Sequence, residues 1–185
     1  VSGASTWMGI VSNWTDSRIV ASAGNIHFNN NIVIGAANTL YVTNVNAMNM
    51  TGGELTGGKQ AGDGAFYKTG AGAFVMRPGA GLTGTVWLAQ GEIRQSTGNS
   101  STLAAGGLLV LGNGTTYSSD GTSARTIAKA VRLDGDVTLA SSASYLGPLT
   151  ISGNVDLNGA QRQVTMNYTN TISGVVSNGG LTKAG

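Results

Sequence analysis

His27 is the only histidine of the chain. A metal site built on several imidazoles is therefore impossible, and a Ser-His-Asp relay would have to run through this one residue. It sits in "NIHFNNN", where apolar and polar residues alternate as in a strand, and we expect a structural or surface role for it. No G-x-S-x-G, H-E-x-x-H or P-loop occurs, and the glycine-rich stretches "GKQAGDG" and "TGAGA" lack the Lys-Ser/Thr that completes a phosphate cradle. "GGKQAGDGA" misses the spacing of a calcium-binding nonapeptide. With no cysteine, neither disulfides nor thiolate metal ligands can form. The densest charge lies in "DGTSARTIAKAVRLDGD", which gathers Asp120, Arg125, Lys129, Arg132, Asp134 and Asp136. Carboxylates stacked on one face could serve as acid and base at a glycosidic bond. The preferred reading makes Asp134-Gly135-Asp136 a tight corner beside a solvated basic loop. We thus expect no catalytic residue, no metal, no cofactor and a protein that is not an enzyme.

The elements that would position any site are strands. Charged residues make up 10% of the 185-residue chain, far below the roughly 25% of an average soluble domain. Glycine occurs 30 times and proline twice, so Ser, Thr and Asn must supply most of the polar surface. The ten basic residues are dispersed and are read as solvation, which argues against nucleic acid as a partner. No apolar run approaches the ~20 residues of a membrane helix, so membrane insertion by this segment is not expected. The start "VSGAST" lacks the basic and apolar regions of a signal peptide, so an exported chain would be present here in mature form. "SARTIAKAV" at 123–131 is the one weak helix candidate. Elsewhere short apolar alternations are punctuated by Gly, Asn, Asp or Ser, as in "TLYVTNV", "GTVWLAQGEI" and "PLTISGNVDLNG".

Periodicity separates a solenoid from a sandwich. "VRLDGDVTL" (131–139) overlays "LTISGNVDL" (149–157) at a constant offset of 18, placing Gly135 on Gly153 and Val137 on Val155. A looser copy, "NTISGVVSN" (170–178), sets Gly174 21 residues beyond Gly153. Repetition in register predicts an all-β, parallel β-helix with about 20 residues per coil and roughly nine coils, inward residues stacking into apolar ladders. Residues 1–25 are expected to form an N-terminal capping segment, and residues 26–185 the coils, clearest at 64–96, 131–157 and 170–185. Trp7 and Trp14 would cover the open first coil, with carbohydrate stacking as the alternative. Trp87, in the alternating "TVWLAQ", could point outward as a glycan contact. Five Asn-x-Ser/Thr sequons, at Asn13, Asn49, Asn99, Asn113 and Asn167, are accounted for by composition.

Residues 64–96, "GAFYKTGAGAFVMRPGAGLTGTVWLAQGEIRQS", resemble the passenger-associated β-strand repeat of autotransporters. Gly64, Phe66, Lys68, Gly70, Gly72, Phe74 and Met76 fill its G-x-L-x-K-x-G-x-G-x-L-x-L portion, with Phe and Met where Leu is usual. Thr83, Gly84, Thr85, Val86, Gly91, Glu92 and Ile93 fill the rest, and Arg77-Pro78 replaces the usual Ser-Gly turn. "TWMGIVSNW" and "IHFNN" resemble the opening that often precedes such repeats. The resemblance implies a right-handed parallel β-helix exported through the Sec pathway to the surface of a Gram-negative cell. It implies a scaffold rather than an activity. We expect a structural or adhesive surface protein, with a glycan-active β-helix enzyme or a carbohydrate-binding module as alternatives and host or matrix glycans as possible partners.

"NGGLTKAG" at 178–185 has the shape of "DGAFYKTG" at 63–70. It is expected to open another coil and leave an adhesive strand edge. That edge would be covered either by a natural chain continuing past Gly185 or by a second subunit stacking end to end into a filament, with Trp7, Trp14, Leu181 and Lys183 at the interface.

Overall fold

The computed structural model describes residues 5–7, 11–13, 15–35, 37–50, 55–57, 64–79, 82–96, 101–140 and 144–185; its side chains are described from residue 15 onward, except at 55–57. The chain begins with β1 (Ser5–Trp7), β2 (Val11–Asn13) and β3 (Ser17–Ala21), then β4 (Ile26–Phe28), β5 (Ile32–Ile34) and β6 (Thr39–Asn44). Next come β7 (Met48–Met50), β8 (Leu55–Gly57), β9 (Ala65–Thr69), β10 (Ala73–Met76) and β11 (Val86–Leu88). β12 (Glu92–Gln95), β13 (Thr102–Leu103), β14 (Leu108–Leu111), β15 (Thr115–Ser119), β16 (Arg125–Ile127) and β17 (Ala130–Leu133) follow. The chain closes with β18 (Val137–Leu139), β19 (Leu149–Ile151), β20 (Val155–Met166), β21 (Thr171–Ile172) and β22 (Val176–Ala184).

Every pairing among these strands is parallel, and they stack as a β-solenoid. The first face runs β1-β4-β7-β10-β12-β15-β18-β20, eight strands deep, and the second runs β3-β6-β9-β11-β14-β17-β20 with β22 beyond. A third face is built from β2-β5-β8 and from β13-β16-β19-β21. No helix is present among the described residues, so none is long and apolar enough to cross a membrane. β1 and β2 enter the first and third faces in the same parallel register as later strands, pairing Ser5 with Ile26 and Val11 with Ile32. Both strands thus pair in the same parallel manner as those of the coils that follow. Trp14 and the side chain of Trp7 lie outside the described residues.

Inward positions fill the lumen with apolar side chains. Phe66, Phe74 and Met76, the departures from the Leu-rich repeat pattern, are all fully buried, and the two phenyl rings pack with centroids 5.0 Å apart. Phe66 stacks on Val86 and Phe74 on Ile93, so the 33-residue repeat is one strand-corner-strand unit laid directly over another. Parallel ladders need such stacking, because each coil buries little apolar surface alone.

The offset of 18 is a corner repeat rather than the coil period. Val131 pairs with Val155 and Val137 with Val164, whereas Leu149 pairs with Arg125. The two aligned segments occupy different corners of the same solenoid, and they look alike because both are strand, tight glycine turn, strand. The copy at 170–178 is a true coil repeat, with Ile172 on Ile151 and Val176 on Val155. A β-carbon on Gly153 would collide with the Lys129 carbonyl, and one on Gly174 with the Gly153 carbonyl, which is why glycine recurs at that corner. Coil length varies, Glu92 following its partner Ala73 by 19 residues and Val164 following Val137 by 27.

The helix candidate at 123–131 is β16 and β17. Arg125, Ile127, Lys129, Val131 and Leu133 are all buried while the residues between them are not, a strict period of two that two inward basic residues disguise. Three of the ten basic residues, Lys68, Arg125 and Lys129, are therefore interior groups and not surface solvation.

Candidate functional site

The interior cations serve the corners. The Lys68 ammonium is fully buried and donates to the carbonyls of Thr69 (3.1 Å), Gly70 (2.7 Å) and Gln90 (3.0 Å), tying one coil to the next. Gly70 donates its N–H to Gln90 Oε1 at 3.1 Å. Lys129 donates to the Gly106 carbonyl at 2.5 Å. Burial pushes both lysines down to about 8, Glu92 partly opposing the shift at Lys68. Arg125 donates Nε to the Gln95 carbonyl (2.9 Å) and Nη1 to Ser123 and Ala124. Beside it the buried Tyr117 hydroxyl, pushed up by desolvation, donates to Gln95 Oε1 at 2.8 Å. These groups satisfy carbonyls that tight corners turn inward.

The six charged residues between 120 and 136 are consequently parted. Arg125 and Lys129 face the lumen, and Asp120 follows β15 on the first face. Arg132 grips Asp134 through two hydrogen bonds of 2.7 and 3.0 Å on the second face. Asp136 accepts from the Gln163 N–H at 2.8 Å. Asp134 and Asp136 thus have separate structural partners. His27 lies in β4 on the outward side, half-buried between strand neighbours, its register partner Asn49. Among the described residues no three His, Cys, Asp or Glu side chains gather in a metal-like cluster.

The outward side of the second face holds the arrangement best suited to recognition. The register places Arg18, Tyr41, Tyr67, Trp87, Val110, Arg132, Asp156 and Ser177 in one continuous row along the solenoid. Tyr41, Tyr67 and Trp87 are half-buried and form an aromatic ladder, with ring centroids 5.7 and 6.1 Å apart and planes tilted by 50° and 46°. Such spacing lies in the range of favourable tilted aromatic pairs. Val110 is 1% exposed although it points away from the core, so the outer surface beyond Trp87 is closely covered. The row then becomes polar: Asn158 Nδ2 donates to Asp134 (3.2 Å), and Asp156 Oδ1 accepts from the Asn158 N–H (2.8 Å) and Asn178 Nδ2 (2.9 Å). Those bonds hold the Asp156 carboxyl below its usual range.

Trp87 therefore stands on the outward face, and its two tyrosine neighbours complete a strip that sequence reading did not assemble. The signal was present in the alternations "TLYVTN" and "AFYKT", but joining them requires the coil register, which varies. Leu181 and Lys183 lie in β22, exposed, opposite Arg162 and Val164 of β20. Lys183 donates to the Gly185 carbonyl as Lys68 does to that of Gly70, and Gly185 and Gly70 share positive φ of 82° and 81°. The two look-alike segments thus form the same local corner. β22 has no strand partner besides β20 among the described residues and exposes Val176 and Leu181, each 38% accessible. Comparison of the chain with protein-family models, curated proteins and solved structures finds no match.

Proposed function

We propose that this chain is part of an extracellular structural or adhesive β-solenoid, of the kind carried by autotransporter passengers on Gram-negative cells, and that it meets glycans along the Tyr41-Tyr67-Trp87 row. The in-register aromatic row on an outer face carries this reading. Aromatic rings offer an apolar surface for sugar C–H groups, and the adjoining Asn158, Asp156 and Arg132 supply the hydroxyl partners that fix orientation. The lumen and the corners are scaffold: apolar residues fill the first, and the interior cations tie the carbonyls of the second. A glycan microarray probed with the unaltered chain and with Trp87→Ala tests this. Binding to a defined set of saccharides, lost in Trp87→Ala with circular dichroism unchanged, supports the reading; binding insensitive to Trp87 removes it.

The edge of β22 favours a second, compatible feature. Its outer backbone, unpaired among the described residues and lying beside Val176 and Leu181, suits addition of a further parallel strand, supplied by a continuing chain or by a second copy; end-to-end association of copies into filaments is the assembly we propose for it. Electron microscopy distinguishes filaments from isolated short rods.

A further inference from the structure

The first face carries a cavity of about 470 Å³, within the usual size range of small-molecule sites. Two adjacent outward rows line it. In one, Asn49 and Arg94 flank Val75 in exact register on β7, β12 and β10. In the other, Arg77, Ser96 and Asp120 each lie one residue beyond the partners Met76, Gln95 and Ser119, the ladder continuing through Ser96 N–H to Met76 O and Asp120 N–H to Gln95 O, both 2.8 Å. Tyr145 closes one side, its ring centroid 3.8 Å from the Arg94 guanidinium carbon.

The Nε atoms of Arg77 and Arg94 are both buried and have no hydrogen-bond partner among the described residues. Arg94 pairs with Glu92 through Nη2 at 2.8 Å, which engages one member of its side-on fork and leaves the Nε–H open, and Arg77 forms no ion pair among the described residues. A buried donor without an acceptor is costly, and guanidinium Nε with a neighbouring Nη is the side-on fork that receives a carboxylate. Asp120 faces the same space and repels a bare anion, so the occupant must also bring hydroxyl or N–H donors to that carboxylate and to Asn49 and Ser96. An acid that is also richly hydroxylated meets both requirements.

We propose that this cavity binds a sugar carboxylate, with Arg77 and Arg94 receiving the acid group and Asp120, Asn49 and Ser96 the ring hydroxyls. The site lies on a different face from the aromatic row and stands independently of it. The test is ligand-observed and protein-observed NMR titration with methyl α-glucuronide and with sialyllactose, each set against its neutral counterpart, methyl α-glucoside or lactose. The expected result is saturable binding of at least one acidic sugar, at least tenfold weaker for its neutral counterpart. Arg77→Gln should weaken it at least tenfold, and Tyr145→Ala should weaken it through the released Arg94. Which acid binds separates a uronate from a sialate source. N-acetylglycylglycine serves as a carboxylate without a sugar. The proposal is overturned if neither acidic sugar binds, if acid and neutral sugar bind alike, if the dipeptide acid binds as tightly, or if a folded Arg77→Gln binds unchanged. The comparison of acid with neutral sugar uses the unaltered chain, so it decides the charge requirement whether or not a variant folds.

Discussion

At the scale of single residues, polar groups in the lumen govern how the fold responds to its surroundings. Burial pushes Lys68 and Lys129 down to about 8, against about 10.4 for a free lysine. Between those values the unfolded chain holds more protons, so stability should rise with pH. Above about pH 10 the slope reverses, because buried Tyr117 keeps a proton that an unfolded tyrosine has lost. Urea unfolding at pH 7.5, 8.5 and 9.5 should therefore show increasing midpoints, with a flatter rise in Lys129→Met; falling midpoints over that range would contradict the assignment. Gly153→Ala should cost about 1–3 kcal/mol, because its new β-carbon meets the rigid Lys129 carbonyl, and thermal melting reads this directly. The recurring corner glycine was visible in the repeat, whereas the lysine shifts could not be anticipated from sequence. "SARTIAKAV" looks amphipathic with surface cations, and only the three-dimensional corner shows that those cations point inward at carbonyls.

At the scale of elements, the strands were legible and their stacking was partly so. Alternation of apolar residues with Gly and Asn breaks marks nearly every strand, since most are buried on one side only, β10 being buried on both. The coil register is less visible, because corners resemble one another more closely than successive coils do. The overlay of 131–139 on 149–157 recognised a corner, whereas the offset of 21 linking 149–157 to 170–178 was a true stack. Engineered cysteines in this cysteine-free chain discriminate the two registers. Arg132→Cys with Asp156→Cys should oxidise to a disulfide, the two positions being lateral partners on β17 and β20. Arg132→Cys with Thr150→Cys, the pair an 18-residue coil would require, should remain reduced, since Thr150 stacks between Thr126 and Thr171 on the third face. Non-reducing electrophoresis with intact mass reads the outcome, and crosslinking of the second pair in place of the first would refute the register.

At the scale of the whole molecule, a three-faced solenoid turns a one-dimensional repeat into long, ordered rows of side chains. The second face orders aromatic rings and then a polar network along the solenoid; the first gathers two arginines with unused donors around a cavity. Trp87 was identifiable in the sequence as an outward candidate, but its row and the cavity were not, since each draws residues from coils some twenty or more positions apart. The central claim is that recognition resides in these outward rows while the lumen and corners serve as scaffold. It is tested most directly by solution affinity for the tightest microarray saccharide, measured by calorimetry on the unaltered chain and on the triple variant Tyr41→Ser, Tyr67→Ser, Trp87→Ser. The account predicts loss of at least tenfold in affinity with the β-rich circular dichroism spectrum retained; equal affinity in a folded triple variant would contradict it.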